Sequence, residues 1–196
     1  GVAVGDAVTD PGGKVCRALD VDRNTDATRR GVDSLLNLPS GVGNSGTLSF
    51  WYRAAVSWNS SQAALLMDAS GQTDQPFYLQ RDSGGVLRLR LTDSAGATLS
   101  ASTSAQNFPA NQWVHVAATW KLASGSNQST LRLYVNGNLA GTGVGTTSGS
   151  LASSLGSLFV GDNRLSAAPA GGTDDSANGR IDELRVYNFD LGPVEI

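Results

Sequence analysis

The sequence predicts an all-β fold of two packed antiparallel sheets, a jelly roll or sandwich. Short β-patterned runs recur along the 196 residues, turn sequences separate them, and no long stretch has the periodicity of an amphipathic helix. The charged residues agree with this pattern. Asp accounts for 15 of the 17 acidic residues and Arg for 12 of the 14 basic ones, whereas helix surfaces favour Glu and Lys.

Ten runs along the chain have the composition and alternation of strands. They cover residues 14–21, 47–53, 63–67, 77–81, 86–92, 113–120, 131–135, a return strand from 139, 157–161 and 179–187. Turn sequences such as 68–71, 82–85 and 93–96 lie between them. Asn136-Gly137 is the strongest hairpin signal, because both residues tolerate the positive φ that a tight turn requires.

Size and charge limit what the chain can be. A mass of 20.2 kDa suits one domain over residues 1–196, and we expect it to be part of a longer exported protein. The net charge of -3 and the scattered arginines argue against a nucleic-acid partner. No apolar run is long enough for membrane insertion. The lone Cys16 is either a buried thiol on the first strand or pairs outside this chain.

The last predicted strand contains a carboxylate in an unusual position. Asp182, Leu184 and Val186 share one parity, so alternation predicts that all three face the core. A buried carboxylate requires several hydrogen bonds or a cation. Asp182 therefore either binds a metal ion or accepts backbone N–H bonds at a corner of the sheet.

Two further features could bind a ligand. The long polar loop over residues 162–178 could hold an ion or another ligand, or could be solvated. Its candidate binding residues are Asp162, Asn163, Asp174 and Asp175. Trp58 lies in a predicted loop and is the best candidate for an exposed ring that stacks on a sugar; the alternative is packing at the edge of the fold. Trp51, Trp113 and Trp120 lie within strands and are predicted to be core residues.

Four blocks of sequence carry a family resemblance, at residues 111–117, 131–137, 158–163 and 179–188. In order and spacing they resemble the laminin-G-like domains of the concanavalin A-like lectin/glucanase superfamily, over roughly residues 15–196. Residues 18–21, 49–53 and 161–164 are most similar to the module of mannose-sensitive haemagglutinin pilus-biogenesis proteins of Gram-negative bacteria. The resemblance implies an exported jelly roll of about 12–14 strands.

The resemblance also implies a structural calcium ion that joins the exit of the first strand to the last strand. The positions that match the family's ligands are Asp20, Asp22 and Asp182. Carboxylates suit this ion, because calcium takes six to eight oxygen ligands.

The superfamily includes glucanases, so glycoside hydrolysis is one hypothesis. That reaction uses a pair of carboxylates on the two sides of the scissile bond. Glu183 and Glu195 are the only glutamates, and no predicted strand centre carries two aspartates. His115, the only histidine, lies in an apolar strand and is predicted to be packed or hydrogen-bonded. We therefore predict that the chain is not an enzyme and has no catalytic residues.

These observations predict a non-catalytic extracellular recognition or adhesion module. Its expected partner is a glycan or a surface protein at a cell or pilus surface, together with other domains of the parent protein. One alternative is a structural spacer that calcium stabilises and that has no ligand of its own. A glycoside hydrolase is the other alternative.

Overall fold

The computed structural model describes residues 1–4, 7–21, 31–70, 77–162 and 176–196. These ranges contain fourteen strands and one helical turn, α1 (Leu38–Gly41). The strands are β1 (Val2–Val4), β2 (Val8–Asp10), β3 (Ala18–Asp20), β4 (Gly31–Asn37), β5 (Ser45–Ala54), β6 (Ala64–Asp68), β7 (Phe77–Arg81), β8 (Leu87–Thr92), β9 (Thr98–Ser102), β10 (Trp113–Lys121), β11 (Ser129–Val135), β12 (Asn138–Gly145), β13 (Ser157–Val160) and β14 (Gly179–Tyr187). The predicted all-β class is confirmed.

Two seven-stranded antiparallel sheets form the sandwich. Sheet A has the order β1-β4-β13-β6-β7-β8-β9, and sheet B has the order β12-β11-β10-β5-β14-β3-β2. One apolar cluster lies between them, with Leu79 and Leu89 from sheet A and Phe50 and Val116 from sheet B fully buried. Side chains on the other side of each strand therefore face outward, and any binding surface on a sheet is built from these.

Each run that the sequence predicts as a strand is present, although the first shortens to β3. The Asn136-Gly137 hairpin is confirmed, with φ of 49° and 80° at the two residues and Val135 paired with Asn138. The ten predicted runs do not include β1, β2, β4 and β9. The first two are only three residues long, and β4 contains Leu35 at φ 62°, which interrupts its alternation.

The predicted facing of Asp182 is wrong. Ile181 belongs to the core and pairs with Tyr52, whereas Asp182 pairs with Trp51 on the outer face of sheet B. A register shift follows between Asp182 and Arg185, where Glu183 has φ 53°. This β-bulge reverses the alternation, since an extra residue moves every later side chain to the opposite face. Leu184 and Val186 therefore pack against the core while Asp182 does not.

Asp93 is a buried carboxylate at the end of β8, and its side chain is 1% exposed. Its Oδ1 accepts the N–H groups of Ala95 at 2.9 Å and Ala97 at 2.7 Å, and its Oδ2 accepts that of Ser148 at 2.6 Å. Burial raises the pKa of the Asp93 carboxyl, but these N–H donors outweigh it. The pKa therefore lies below its ordinary value.

We expect Asp93→Asn to lower the free energy of unfolding at pH 7 by about 2–3 kcal/mol, because one buried N–H loses an anionic acceptor. The pKa of Asp93 is lower in the folded state. Its contribution is therefore present above the unfolded-state pKa of about 3.9 and is lost as the pH falls through the folded-state pKa. Urea unfolding between pH 7 and pH 2 should show a smaller loss of stability with acid in the variant. Parallel curves for the two proteins would contradict this role.

Candidate functional site

The outer face of sheet A carries a group of polar side chains at its centre. Phe77 and Leu79 of β7 belong to the core, so the alternate residues Tyr78 and Gln80 face outward. The same alternation in β8 buries its leucines and leaves Arg88 and Arg90 on the outer side. Two strands that a hairpin joins thus present four polar side chains on one face.

The sheet register places these four side chains next to one another. Tyr78 pairs with Arg90, and Gln80 pairs with Arg88. Directly opposite side chains on an antiparallel pair lie about 5 Å apart at their Cβ atoms. We name this surface, made of Tyr78, Gln80, Arg88 and Arg90, the Tyr78–Arg90 face.

An apolar floor lies beside these polar groups. Leu65 of β6, Tyr78 of β7 and Phe159 of β13 are 2%, 4% and 2% exposed, yet they are not part of the core between the sheets. They belong to the outer side of sheet A, where Phe159 pairs with Asp68 and Asp68 pairs with Tyr78. The Tyr78 side chain is buried on this side, and burial limits its rotamer freedom, which a binding surface needs if it is to be preorganised.

Several polar groups of this face have no partner in the described part of the chain. The side chains of Tyr78, Gln80 and Arg90 form no hydrogen bond there, and Nε of Arg90 is both buried and unpartnered. Arg88 contacts Asp82 through an ion pair of 3.4 Å at the protein surface. The phenol, the amide and the guanidinium therefore keep their hydrogen-bonding capacity for a ligand.

Of the predicted loop residues, Asp162 alone lies within the described ranges. It follows β13 and is 2% exposed, and the N–H of the preceding Gly161 donates to the carbonyl of Leu66 in β6 at 2.9 Å. The structure thus places Asp162 beside β6, the strand next to β7. Asn163, Asp174 and Asp175 lie outside the described residues, and their binding role stays a prediction.

The prediction that Trp58 is an exposed stacking residue is wrong. Its side chain is 0% exposed and packs against the rings of Tyr52 and Phe108, with centroid distances of 5.9 and 5.1 Å. The loop folds inward because the N–H of Trp58 donates to the carbonyl of Phe108, and Nη1 of Arg81 donates to the carbonyl of Trp58. The indole therefore belongs to the core.

Sequence reasoning missed the Tyr78–Arg90 face, although a signal was present. Residues 77–81 and 86–92 were predicted as strands, and their polar residues alternate with leucine or phenylalanine. Polar residues at alternate positions on two strands of one hairpin share a face. Strands that merely face solvent show the same alternation. The residues of this face differ from those only in the buried apolar side chains beside them and in having polar groups without hydrogen-bond partners.

The described carboxylates of the predicted calcium site have other partners. Nε of Arg180 contacts Oδ2 of Asp20 at 3.3 Å. Oδ2 of Asp182 accepts the N–H groups of Lys14 at 2.7 Å and Val15 at 3.0 Å, and its Oδ1 accepts that of Glu183 at 2.8 Å. Through these hydrogen bonds Asp182 holds the segment before β3 against the outer face of sheet B.

The three N–H donors use most of the acceptor positions of this carboxylate, so a cation at Asp182 would share its oxygens with them. Within the described ranges no group of three or more His, Cys, Asp and Glu side chains could hold a metal ion. Asp22 lies outside those ranges, so the three-carboxylate site stays a prediction.

The outer face of sheet B contains His115, which is hydrogen-bonded as predicted. Its Nε2 lies 2.9 Å from Oγ of Ser49, and its ring packs against Trp51 at 5.3 Å between centroids. Burial lowers the pKa of His115, and the charge of Arg185 lowers it further. Trp51 faces outward rather than into the core, and Nζ of Lys14 lies 4.5 Å from its ring centroid.

Cys16 is exposed, so the interpretation as a buried thiol is wrong. It lies in the segment between β2 and β3 rather than on a strand. No helix in the part of the chain that the structure describes is long and apolar enough to cross a membrane.

A family model described as the concanavalin A-like lectin/glucanases superfamily matches residues 30–196 of the chain. This range covers the sandwich from β4 to β14 and includes every residue of the Tyr78–Arg90 face. No curated protein matches the chain.

Solved structures share the fold at low identity. The carbohydrate-binding module CBM40 of a Ruminococcus gnavus IT-sialidase, bound to alpha2,3-sialyllactose, has a TM-score of 0.59 and 17% identity over 85% of this chain and 89% of that one. The binding domain of Paraclostridial Mosquitocidal Protein 1 has a TM-score of 0.62 and 16% identity, and the botulinum neurotoxin D/C binding domain has 0.60 and 13%. The likeness covers 99% of this chain but only 45% of each toxin chain.

Proposed function

The chain belongs to the concanavalin A-like lectin/glucanases superfamily, and on that premise we propose that it is a non-catalytic glycan-binding module. Its ligand binds on the Tyr78–Arg90 face. The observation that carries this proposal is the set of unpartnered polar groups beside a fixed, buried ring, on a rigid two-stranded platform.

The chemistry of this face suits a sugar. A sugar ring offers hydroxyl groups in fixed directions and an apolar side of C–H groups. The Gln80 amide both donates and accepts hydrogen bonds, the Tyr78 hydroxyl does the same, and Arg90 donates. The apolar floor of Leu65, Tyr78 and Phe159 lies beside them. Binding sites of this kind combine apolar walls with a few placed polar groups.

Two of the similar structures support the same interpretation. One is a carbohydrate-binding module in complex with sialyllactose, and the other is the binding domain of a toxin. We propose the same kind of role here, at a cell surface or in the extracellular space. Location on a pilus and partnership with a surface protein remain proposals from the sequence.

The described carboxylates of this face do not form the pair that glycoside hydrolysis uses. Asp68 lies opposite Tyr78, and Asp82 follows the end of β7, four residues beyond Tyr78. Four residues of a strand span about 13 Å, whereas the two carboxyl groups of glycosidases are about 5–9.5 Å apart. This separation favours recognition over hydrolysis.

A glycan array with neutral and acidic saccharides tests the proposal. We expect the wild-type chain to bind a subset of the glycans, and Gln80→Ala to lose about tenfold in affinity for them, the effect of one or two lost hydrogen bonds. Gln128→Ala, in the loop between β10 and β11, is the matched control and should bind as the wild type does. Absence of glycan binding, or equal binding by Gln80→Ala, would overturn the proposal and leave the structural spacer as the better function.

Calcium is tested separately by thermal unfolding with excess chelator. A site that includes Asp22 predicts a lower midpoint after chelation, because binding to the folded state stabilises it by mass action. An unchanged midpoint would count against a tight site and would leave Asp20 paired with Arg180 and Asp182 bonded to backbone N–H groups.

A further inference from the structure

We infer that the ligand of the Tyr78–Arg90 face is an acidic saccharide and that Arg90 binds its carboxylate. The inference rests on the proposed glycan-binding function and specifies the class of ligand. It follows from the charges of the face and from the partners of each arginine.

Arg90 carries a charge that nothing in the described part of the chain neutralises. Its neighbours across the sheet are Tyr78 on β7 and Ser100 on β9, and neither carries a charge at neutral pH. A guanidinium stays protonated at any physiological pH. The Arg90 side chain is only partly exposed, and its Nε is buried, so the charge is held near an apolar floor and an anion would be attracted to it more strongly than in water.

Arg88 supplies a second cation on the same face. It lies two residues from Arg90 along β8, about 7 Å away, and its partner is Asp82 at 3.4 Å. That pair lies at the protein surface, where an ion pair contributes little to the free energy of unfolding. An acidic ligand can therefore compete with Asp82 for the guanidinium of Arg88. The two arginines and Asp82 together leave one net positive charge at this end of the face.

The arginines lie at one side of the face, and Asp68 lies at the other. It lies opposite Tyr78 on the side away from Arg90, so two strand spacings, about 10 Å, separate Asp68 from Arg90. Asp68 is 1% exposed and its Oδ1 accepts the N–H of Ser70 at 2.8 Å, so the charge that a ligand meets on this face is that of the arginines, which attract a negative group. The acid group therefore lies over β8, and the sugar ring extends across Tyr78 and Gln80.

A carboxylate fits a guanidinium better than a point anion does. Two parallel N–H groups of arginine match the two oxygens of a planar carboxylate, and such charge-assisted bonds are roughly twice as strong as neutral ones. A sulfate ester shares part of this chemistry and has to be distinguished by experiment. The face has too few cations for a nucleic acid, whose binding depends on many phosphate contacts.

Isothermal titration with matched ligands tests the inference. The probes are alpha2,3-sialyllactose, which carries a carboxylate, lactose, which has no acid group, and sulfated lactose, which carries a sulfate ester instead. We expect sialyllactose to bind at least tenfold more tightly than lactose. Arg90→Gln should abolish that preference. Arg90→Lys keeps the positive charge but loses the two parallel N–H groups of the guanidinium, so it should retain only part of the preference. Higher salt should weaken binding to the acidic ligand.

Arg185→Gln is the matched control. It removes the same charge from the outer face of sheet B and should leave sialyllactose binding unchanged. Thermal unfolding of each variant shows whether it is folded. Equal affinity for lactose and sialyllactose, with no effect of Arg90→Gln, would overturn the acidic ligand while the glycan function stands. Tighter binding of sulfated lactose would overturn the carboxylate class. Absence of binding to all glycans overturns the proposed function itself.

Discussion

The Trp58→Ala variant is expected to lose about 3–5 kcal/mol in the free energy of unfolding, the usual cost of deleting a buried aromatic side chain. The indole is 0% exposed and packs between Tyr52 and Phe108. Its removal leaves a cavity that the rigid strands around it cannot fill by collapse. The free energy of unfolding of a domain is about 5–15 kcal/mol, so this substitution removes a large fraction of it.

Urea unfolding, followed by the fluorescence of the remaining tryptophans, measures this effect. Trp51→Ala is the control, since Trp51 is partly exposed on the outer face of sheet B, and a smaller loss is expected there. If Trp58 were instead a surface residue that stacks on a sugar, its replacement would reduce glycan affinity and leave the unfolding midpoint nearly unchanged. That result would contradict the buried position.

The second large effect is expected at Asp182, where Asp182→Asn should lower the free energy of unfolding by about 2–3 kcal/mol. The carboxylate is 8% exposed and accepts three backbone N–H groups, from Lys14, Val15 and Glu183. An asparagine has one acceptor oxygen and would direct an NH₂ group toward at least one N–H, which leaves a buried donor without a partner.

Urea unfolding with and without chelator separates the two roles of Asp182. The loss should be the same in both conditions if the residue acts as an acceptor for backbone N–H groups. A loss that is present only with calcium would show that Asp182 is a metal ligand instead. Asp190→Asn is the surface control; it lies 4.0 Å from Arg132, and about 0.5 kcal/mol or less is expected.

The close approach of the segment before β3 to Asp182 also explains why residue 13 is a glycine. A Cβ at Gly13 would lie 2.8 Å from Oδ2 of Asp182 and 2.8 Å from the backbone nitrogen of Ala18. Only a residue without a side chain lets the segment before β3 pass this close to the last strand. The sequence around Gly13 does not indicate this contact, because its partner lies far along the chain. The neighbouring hydrogen bond from Lys14 to Asp182, for example, joins residues that are 168 positions apart.

The sequence predicted the strands and turns well because these depend on nearby residues. The alternation in β8 and β11 and the Asn136-Gly137 turn are local patterns, and each is present in the structure. The pairing of predicted strands into two packed sheets follows from the need to bury their apolar sides. The sequence therefore determined the fold class.

The candidate site depended on information that the sequence does not contain. Tyr78, Gln80, Arg88 and Arg90 look like the exposed residues of any half-buried strand. Their distinction is that Tyr78, together with Leu65 of β6 and Phe159 of β13, is buried on the outer face, where strands from distant parts of the chain lie side by side. Whether a polar side chain has a partner is decided by such distant neighbours, and no periodicity shows it.

By itself, therefore, the sequence determined an all-β chain with ordered hairpins and the position of its carboxylates along the strands. Only the tertiary structure decided which way these side chains face. At Asp182 the bulge at Glu183 reverses the alternation, and at Trp58 a contact with Phe108 turns a loop residue into a core residue. The physical reason is that strand and turn formation are local, whereas facing and burial depend on residues that meet only when the sheets pack.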